Sequence, residues 1–145
     1  MISRFLFFVI LVMAALFAYV RLAPTDVERW HAMPQSAGPG DYPQTGGFRA
    51  ERAIAAPAEA VLAAVAQRVL ATPRTRLIAG GVATGMMTFE TRSRIMGFPD
   101  YTTVAVNDDV LVIYGRLRFG VSDGGVNRAR VLAWLAALGP LTVAP

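Results

Sequence analysis

At 145 residues the chain has room for one domain and an appendage. It has no cysteine and a single histidine, which excludes disulfides, thiolate nucleophiles and thiolate metal sites, and leaves Ser-His-Asp catalysis or metal capture short of donors. The formal net charge of +4 is too small to argue for nucleic acid, and all 14 cations are arginine, whose planar fork grips carboxylate or phosphate through paired hydrogen bonds.

The first element is an unbroken apolar run, Phe5 to Val20, flanked by Arg4 and Arg21. With Met1, Ile2, Leu22 and Ala23 it reaches the roughly 20 residues that span a bilayer core, provided the arginines snorkel. A cleaved signal peptide is the rival reading, but its best cleavage point, after Ala23, puts Arg21 where a small residue belongs. An uncleaved anchor over residues 1–22 is therefore expected. The short tail before Arg4 favours a cytoplasmic N-terminus, placing the following domain outside the cytoplasmic (inner) membrane, in a periplasm if there is one.

Residues 23–47 read as a linker, because Pro24, Pro34, Pro39 and Pro43 with Gly38, Gly40, Gly46 and Gly47 leave no room for a regular element. Trp30 interrupts it, either to sit at the headgroup level or to dock on the domain. His31, beside it, reads as solvated or hydrogen-bonded.

From Phe48 the pattern becomes that of a folded unit. Phe48 to Ile54 alternates as a strand, Pro57 opens a helix, and Val61, Leu62, Val65 and Val69 recur at helical spacing to Leu70. Arg74 to Ala79, Thr84 to Arg94, Tyr101 to Val106 and Asp109 to Phe119 read as four further strands, with a turn at Gly80-Gly81 and a hairpin corner at Asn107-Asp108. Ser122 or Asp123 caps a last helix that buries Val131, Trp134, Leu135 and Leu138 and stops at Gly139-Pro140, with Trp134 against Leu117 and Phe119. The predicted fold is α+β: a small antiparallel sheet of about five strands, two helices packed on one face, and a single transmembrane helix in front. The domain covers residues 48–139, and 140–145 are a tail.

Two segments are richer in arginine, glycine and polar residues than packing requires: Arg92 to Asp100, and Arg116 to Arg130. In the second, Arg116, Arg118 and Gly120 precede Ser122, Asp123, Gly125, Asn127, Arg128 and Arg130. This pattern resembles the bacterial family called domain of unknown function 1499, in which a strand ending in arginine and serine leads through a glycine into a Ser-Asp-x-Gly-x-Asn-Arg-x-Arg run opening the last helix. The resemblance spans roughly residues 48–139, and Arg29-Trp30-His31 is similar to the linkers of membrane-anchored members. Gly115 and Leu117 stand where members often place serine. The resemblance implies no activity.

The Ser122–Arg130 run has two readings. One is structural: a helix cap and sharp turn, with Arg118, Gly120, Gly125 and Arg130 as framework and Arg118 paired internally, for instance with Asp123. The other is an anion site formed by Arg92, Arg94, Arg116, Ser122, Asp123, Asn127 and Arg128. If the strands carrying Arg92/Arg94 and Arg116/Arg118 are neighbours, four guanidinium groups share a surface with Glu90. No catalytic residues, metal site or cofactor are expected. The functional expectation is a non-catalytic envelope domain binding an anionic lipid, glycan or protein partner, the alternative being a hydrolase or transferase with unidentified catalytic residues.

Overall fold

The computed structural model of the protein describes residues 2–33 and 35–145; Met1, and Pro34 of the expected linker, lie outside the described residues. The apolar run forms one helix, α1 (Ile2–Leu22), long and apolar enough to cross a membrane, with none of its span buried in the protein. At about 1.5 Å per residue such a helix is roughly 30 Å long, the thickness of a bilayer core.

The residues after α1 are not a featureless linker. Asp26 accepts a hydrogen bond from the Arg29 amide (3.1 Å) and starts a single helical turn, α2 (Val27–Trp30). A strand follows, β1 (Gly40–Gln44), paired antiparallel with β2 (Gly47–Ala53). Proline is tolerated in β1 because the strand lies at a sheet edge, where the missing N–H costs no ladder bond. This corrects the reading of 23–47 as free of regular elements and adds a sixth strand to the expected antiparallel sheet of about five.

After β2 come α3 (Ala58–Leu70), β3 (Thr75–Gly81), β4 (Met86–Arg92), β5 (Pro99–Asn107), β6 (Val110–Leu117) and α4 (Val126–Ala136). The strand order is β1-β2-β6-β5-β4-β3, with every pair antiparallel. Gly80 and Gly81 end β3 rather than turning the chain; a 3-10 turn at Val82–Thr84 does that. Asp108 and Asp109, both at positive φ (44° and 61°), make the β5–β6 hairpin corner one residue later than the sequence suggests.

As expected, α3 and α4 cover one face. Phe48, Ala50, Met87, Phe89, Val104, Leu111 and Ile113 from the sheet meet Val61, Leu62, Val65, Val69, Val131, Leu135 and Leu138 from the helices and the turn after α4. Trp134 joins this core and donates its indole N–H to Thr72 (2.9 Å). Phe119 turns elsewhere, to Phe98 and to Tyr19 of α1.

The opposite face carries many polar residues yet is buried, because residues 23–33 and 35–38 lie across it as a strap. Trp30 stacks on Tyr101, ring centroids 4.4 Å apart, and His31 Nδ1 lies 2.9 Å from Thr88 Oγ1. Thr25 reaches the Tyr101 hydroxyl (2.8 Å), while the buried Glu51 carboxylate accepts from Ser36 Oγ (2.6 Å) and from the amides of Ala37 and Gly38. A buried carboxylate needs such donors, and the strap supplies them.

Candidate functional site

The arginines separate into those that tie the strap down and those that line open clefts. Arg116 belongs to the first group: its Nη2 donates to the Trp30 carbonyl (2.9 Å) and to Thr103 Oγ1, and its guanidinium lies over the rings of Trp30 and Tyr114. Burial lowers the Arg116 pKa, and among the described residues no carboxylate pairs with it to offset that. Arg118 has internal partners, though not Asp123. It donates to the carbonyls of Ala23 (3.2 Å) and Pro24 (2.7 Å) and to the Tyr101 hydroxyl (3.1 Å), holding the junction between α1 and the strap.

The open clefts lie at the ends of β3 and β4. The strands carrying Arg92 and Arg116 are not neighbours, since β5 separates β4 from β6. Arg92 and Arg94 instead meet Arg74 and Arg76 from β3 and the residues before it. The first cleft, of about 440 Å³, is lined by Arg21, Arg74, Arg76, Arg92 and Arg94 around Glu90, with Thr75, Ser93 and Gly97. Glu90 lies at its floor, 1% exposed, accepting from Arg92 Nε (2.6 Å) and Arg76 Nη2 (3.2 Å). Burial alone would raise the Glu90 pKa; the hydrogen bonds and charges of Arg76 and Arg92 outweigh it and hold the carboxyl below its ordinary value. Five arginines line the cleft with this one carboxylate, which pairs with two of them, Arg76 and Arg92. Arg94 is exposed and has no ion pair among the described residues.

A second cleft, of about 510 Å³, shares the wall formed by Arg74, Arg92, Ser93 and Arg94 and runs on to Phe98, Asp100, Leu117, Phe119, Gly120, Ser122, Asp123, Val126 and Arg130. Its acids are committed to structure. Asp123 accepts from the amides of Gly125 (2.9 Å) and Asn127 (2.7 Å) and so ties down the turn before α4, whose N-cap position is Gly125 and not the expected Ser122 or Asp123. Burial pushes the Asp123 carboxyl up, but those amides prevail and lower its pKa. Asp100 lies deeper, where burial raises its pKa despite Arg130 (3.4 Å). Asn127 is fully buried, bridging Asp100 and Arg130. It packs there because Gly115 has no side chain: a Cβ would fall 2.9 Å from Asn127 Oδ1.

Of the residues singled out in the sequence, Arg92, Arg94, Ser122, Asp123, Gly120 and Arg130 line the clefts. Asn127 lies beneath them, Gly125 caps α4, Arg116 and Arg118 serve the strap, and Arg128 is exposed with its guanidinium 5.7 Å from the Phe48 ring. Arg21, Arg74 and Arg76 were missed. The Arg74-Thr75-Arg76 spacing is a sequence signal for two of them, since a strand starting at Arg74 would put both on one face, although Arg74 in fact precedes β3 with a positive φ of 59°. Among the described residues no group of three or more His, Cys, Asp or Glu is placed to hold a metal.

The family described as protein of unknown function DUF1499 matches residues 25–138, so the match begins in the strap, not at β2. No curated protein matches the chain.

Proposed function

Because the chain belongs to the DUF1499 family, whose description assigns no activity, we propose from the geometry that it is a membrane-anchored, non-catalytic binding domain for an anionic headgroup. The observation that carries this is the first cleft, lined by five arginines and one carboxylate beside the end of an apolar helix. Like charges that close repel, and an anion bearing phosphate or carboxylate relieves the repulsion through charge-assisted bonds. On this reading α1 is an uncleaved anchor in the cytoplasmic membrane, the domain faces the periplasm, and the ligand is an anionic lipid, a glycan or an acidic partner of the envelope. Ser122 and Asp123 are engaged in turn bonds, and neither faces a histidine, so the arrangement favours binding over hydrolysis or transfer.

The test uses the full chain extracted in mild detergent. Native mass spectrometry should show a retained anionic species in the wild type, at least tenfold depleted in the double variant Arg74→Gln, Arg94→Ala. Equal retention by wild type and variant, or an empty wild type, would remove the cleft from the function.

A further inference from the structure

Two loops that touch α1, one through Met96 and Phe98 and the other through Phe119, carry exposed apolar side chains. The β4–β5 loop carries Ile95, 80% exposed, and Met96, 39% exposed; the segment after β6 carries Val121, 81% exposed. Between that loop and the helix runs a groove of about 460 Å³ lined only by Met13, Leu16, Phe17, Val20, Met96 and Phe98. Exposed isoleucine, methionine and valine on loops that adjoin an apolar helix are unusual in a face bathed by water.

We infer that these two loops insert into the same bilayer leaflet that α1 enters, so that the domain lies down on the membrane instead of swinging from a tether. The occupant of the groove is lipid hydrocarbon. The inference rests on the reading of α1 as a membrane-spanning helix, and three further observations point to it. The groove is continuous with α1 from Val20 to Met13, about 10 Å along the helix axis, the depth to which interfacial apolar side chains reach. The helix end is fastened to the loop: Arg92 Nη1 donates to the carbonyls of both Arg21 and Gly97 (3.2 Å each), and the Arg21 guanidinium lies where a Cβ at position 97 would fall, 2.7 Å from its Nε. Tyr19 packs edge-on against Phe119, 6.1 Å between centroids, joining the second loop to the same helix. Arg94, Arg92 and Arg21 then sit at the level of the phosphates, with Ile95 and Met96 below them. In this geometry the cationic cleft opens at the headgroup layer and Phe98 and Phe119 lie beside the acyl chains.

The absence of cysteine makes the test clean. Single variants Ile95→Cys, Val121→Cys, Leu11→Cys as membrane control and Gln67→Cys on α3 as aqueous control are labelled with an environment-sensitive fluorophore in the full chain reconstituted in phosphatidylcholine vesicles. Probes at 95 and 121 should be blue-shifted and quenched at least twofold by spin-labelled lipid, as at 11, while the probe at 67 responds to aqueous iodide. Lipid quenching at 11 but water exposure at 95 and 121 overturns the insertion and leaves the anchor standing. Water exposure at all three overturns the anchor itself. A blue shift at 95 without lipid quenching assigns the loop to a second copy of the chain and also overturns the proposal.

Discussion

Two buried acids on adjoining strands respond to pH in opposite senses. Glu90 has a folded pKa below its ordinary value of 4.5, so across that window the unfolded chain binds more protons and stability rises with pH. Acidification through the folded pKa removes that contribution. Asp100 has a folded pKa above its ordinary 3.8, so there the folded chain holds the proton longer and stability falls as pH rises through the window. Denaturant unfolding of the full chain in detergent, from about pH 2 to pH 7, should separate the two. Glu90→Gln should be less stable than wild type at neutral pH, because Arg76 and Arg92 lose their carboxylate, and the gap should close on acidification. Asp100→Asn should shift the difference curve the other way, the wild type faring relatively better at low pH. Parallel curves for both variants would show that neither carboxyl is held as described.

The strap is the element that ordinary sequence reading misses. α3 and α4 and the four strands from β3 to β6 were legible because apolar residues recur at periods of 3.6 and 2, each facing a core of aliphatic side chains. The second sheet face carries Glu51, Thr88, Glu90, Thr103 and Arg116, and alternation of apolar with polar residues ordinarily means that the polar side meets water. The path of residues 23–33 and 35–38 over that face buries it, and a stretch dense in proline and glycine gives no periodic signal of where it lies. The site was half legible for the same reason. Arg92, Arg94, Ser122 and Asp123 stand in recognisable runs, whereas Arg74, Arg76 and Arg21 join them only through the β3–β4 pairing and the position of α1. Trp30 tests the strap. It is 9% exposed and covers Tyr101, so Trp30→Ala should cost about 3–5 kcal/mol, the range for deleting a large buried aromatic. Against a total stability of roughly 5–15 kcal/mol, the loss should appear as a large drop in unfolding midpoint. A midpoint equal to wild type would mean that the domain folds without its strap.

At the scale of the whole molecule, orientation depends on few charges. Arg4 and the amino terminus stand on one side of α1, and Arg21 and Arg29 on the other, so the positive-inside bias nearly cancels. The structure reduces the weight of Arg21 further. Its carbonyl accepts from Arg92 and its guanidinium stacks on the Phe17 ring (4.8 Å), so it is built into the junction with the domain. The proposed orientation, with the domain outside the cytoplasm, is thus decided by experiment. The full chain should therefore resist extraction by alkaline carbonate, with its N-terminal residues intact. A phosphatase fused after Pro145 should be active, and a fluorescent protein that folds only in the cytoplasm should be dark at the same position. The reverse pair of results would place the arginine clefts at the inner leaflet. On the proposed reading the anion would then be a cytoplasmic-side phospholipid rather than an envelope glycan or outer-leaflet lipid, because the first cleft is lined by Arg21 at the end of α1 and would face whichever leaflet that end enters.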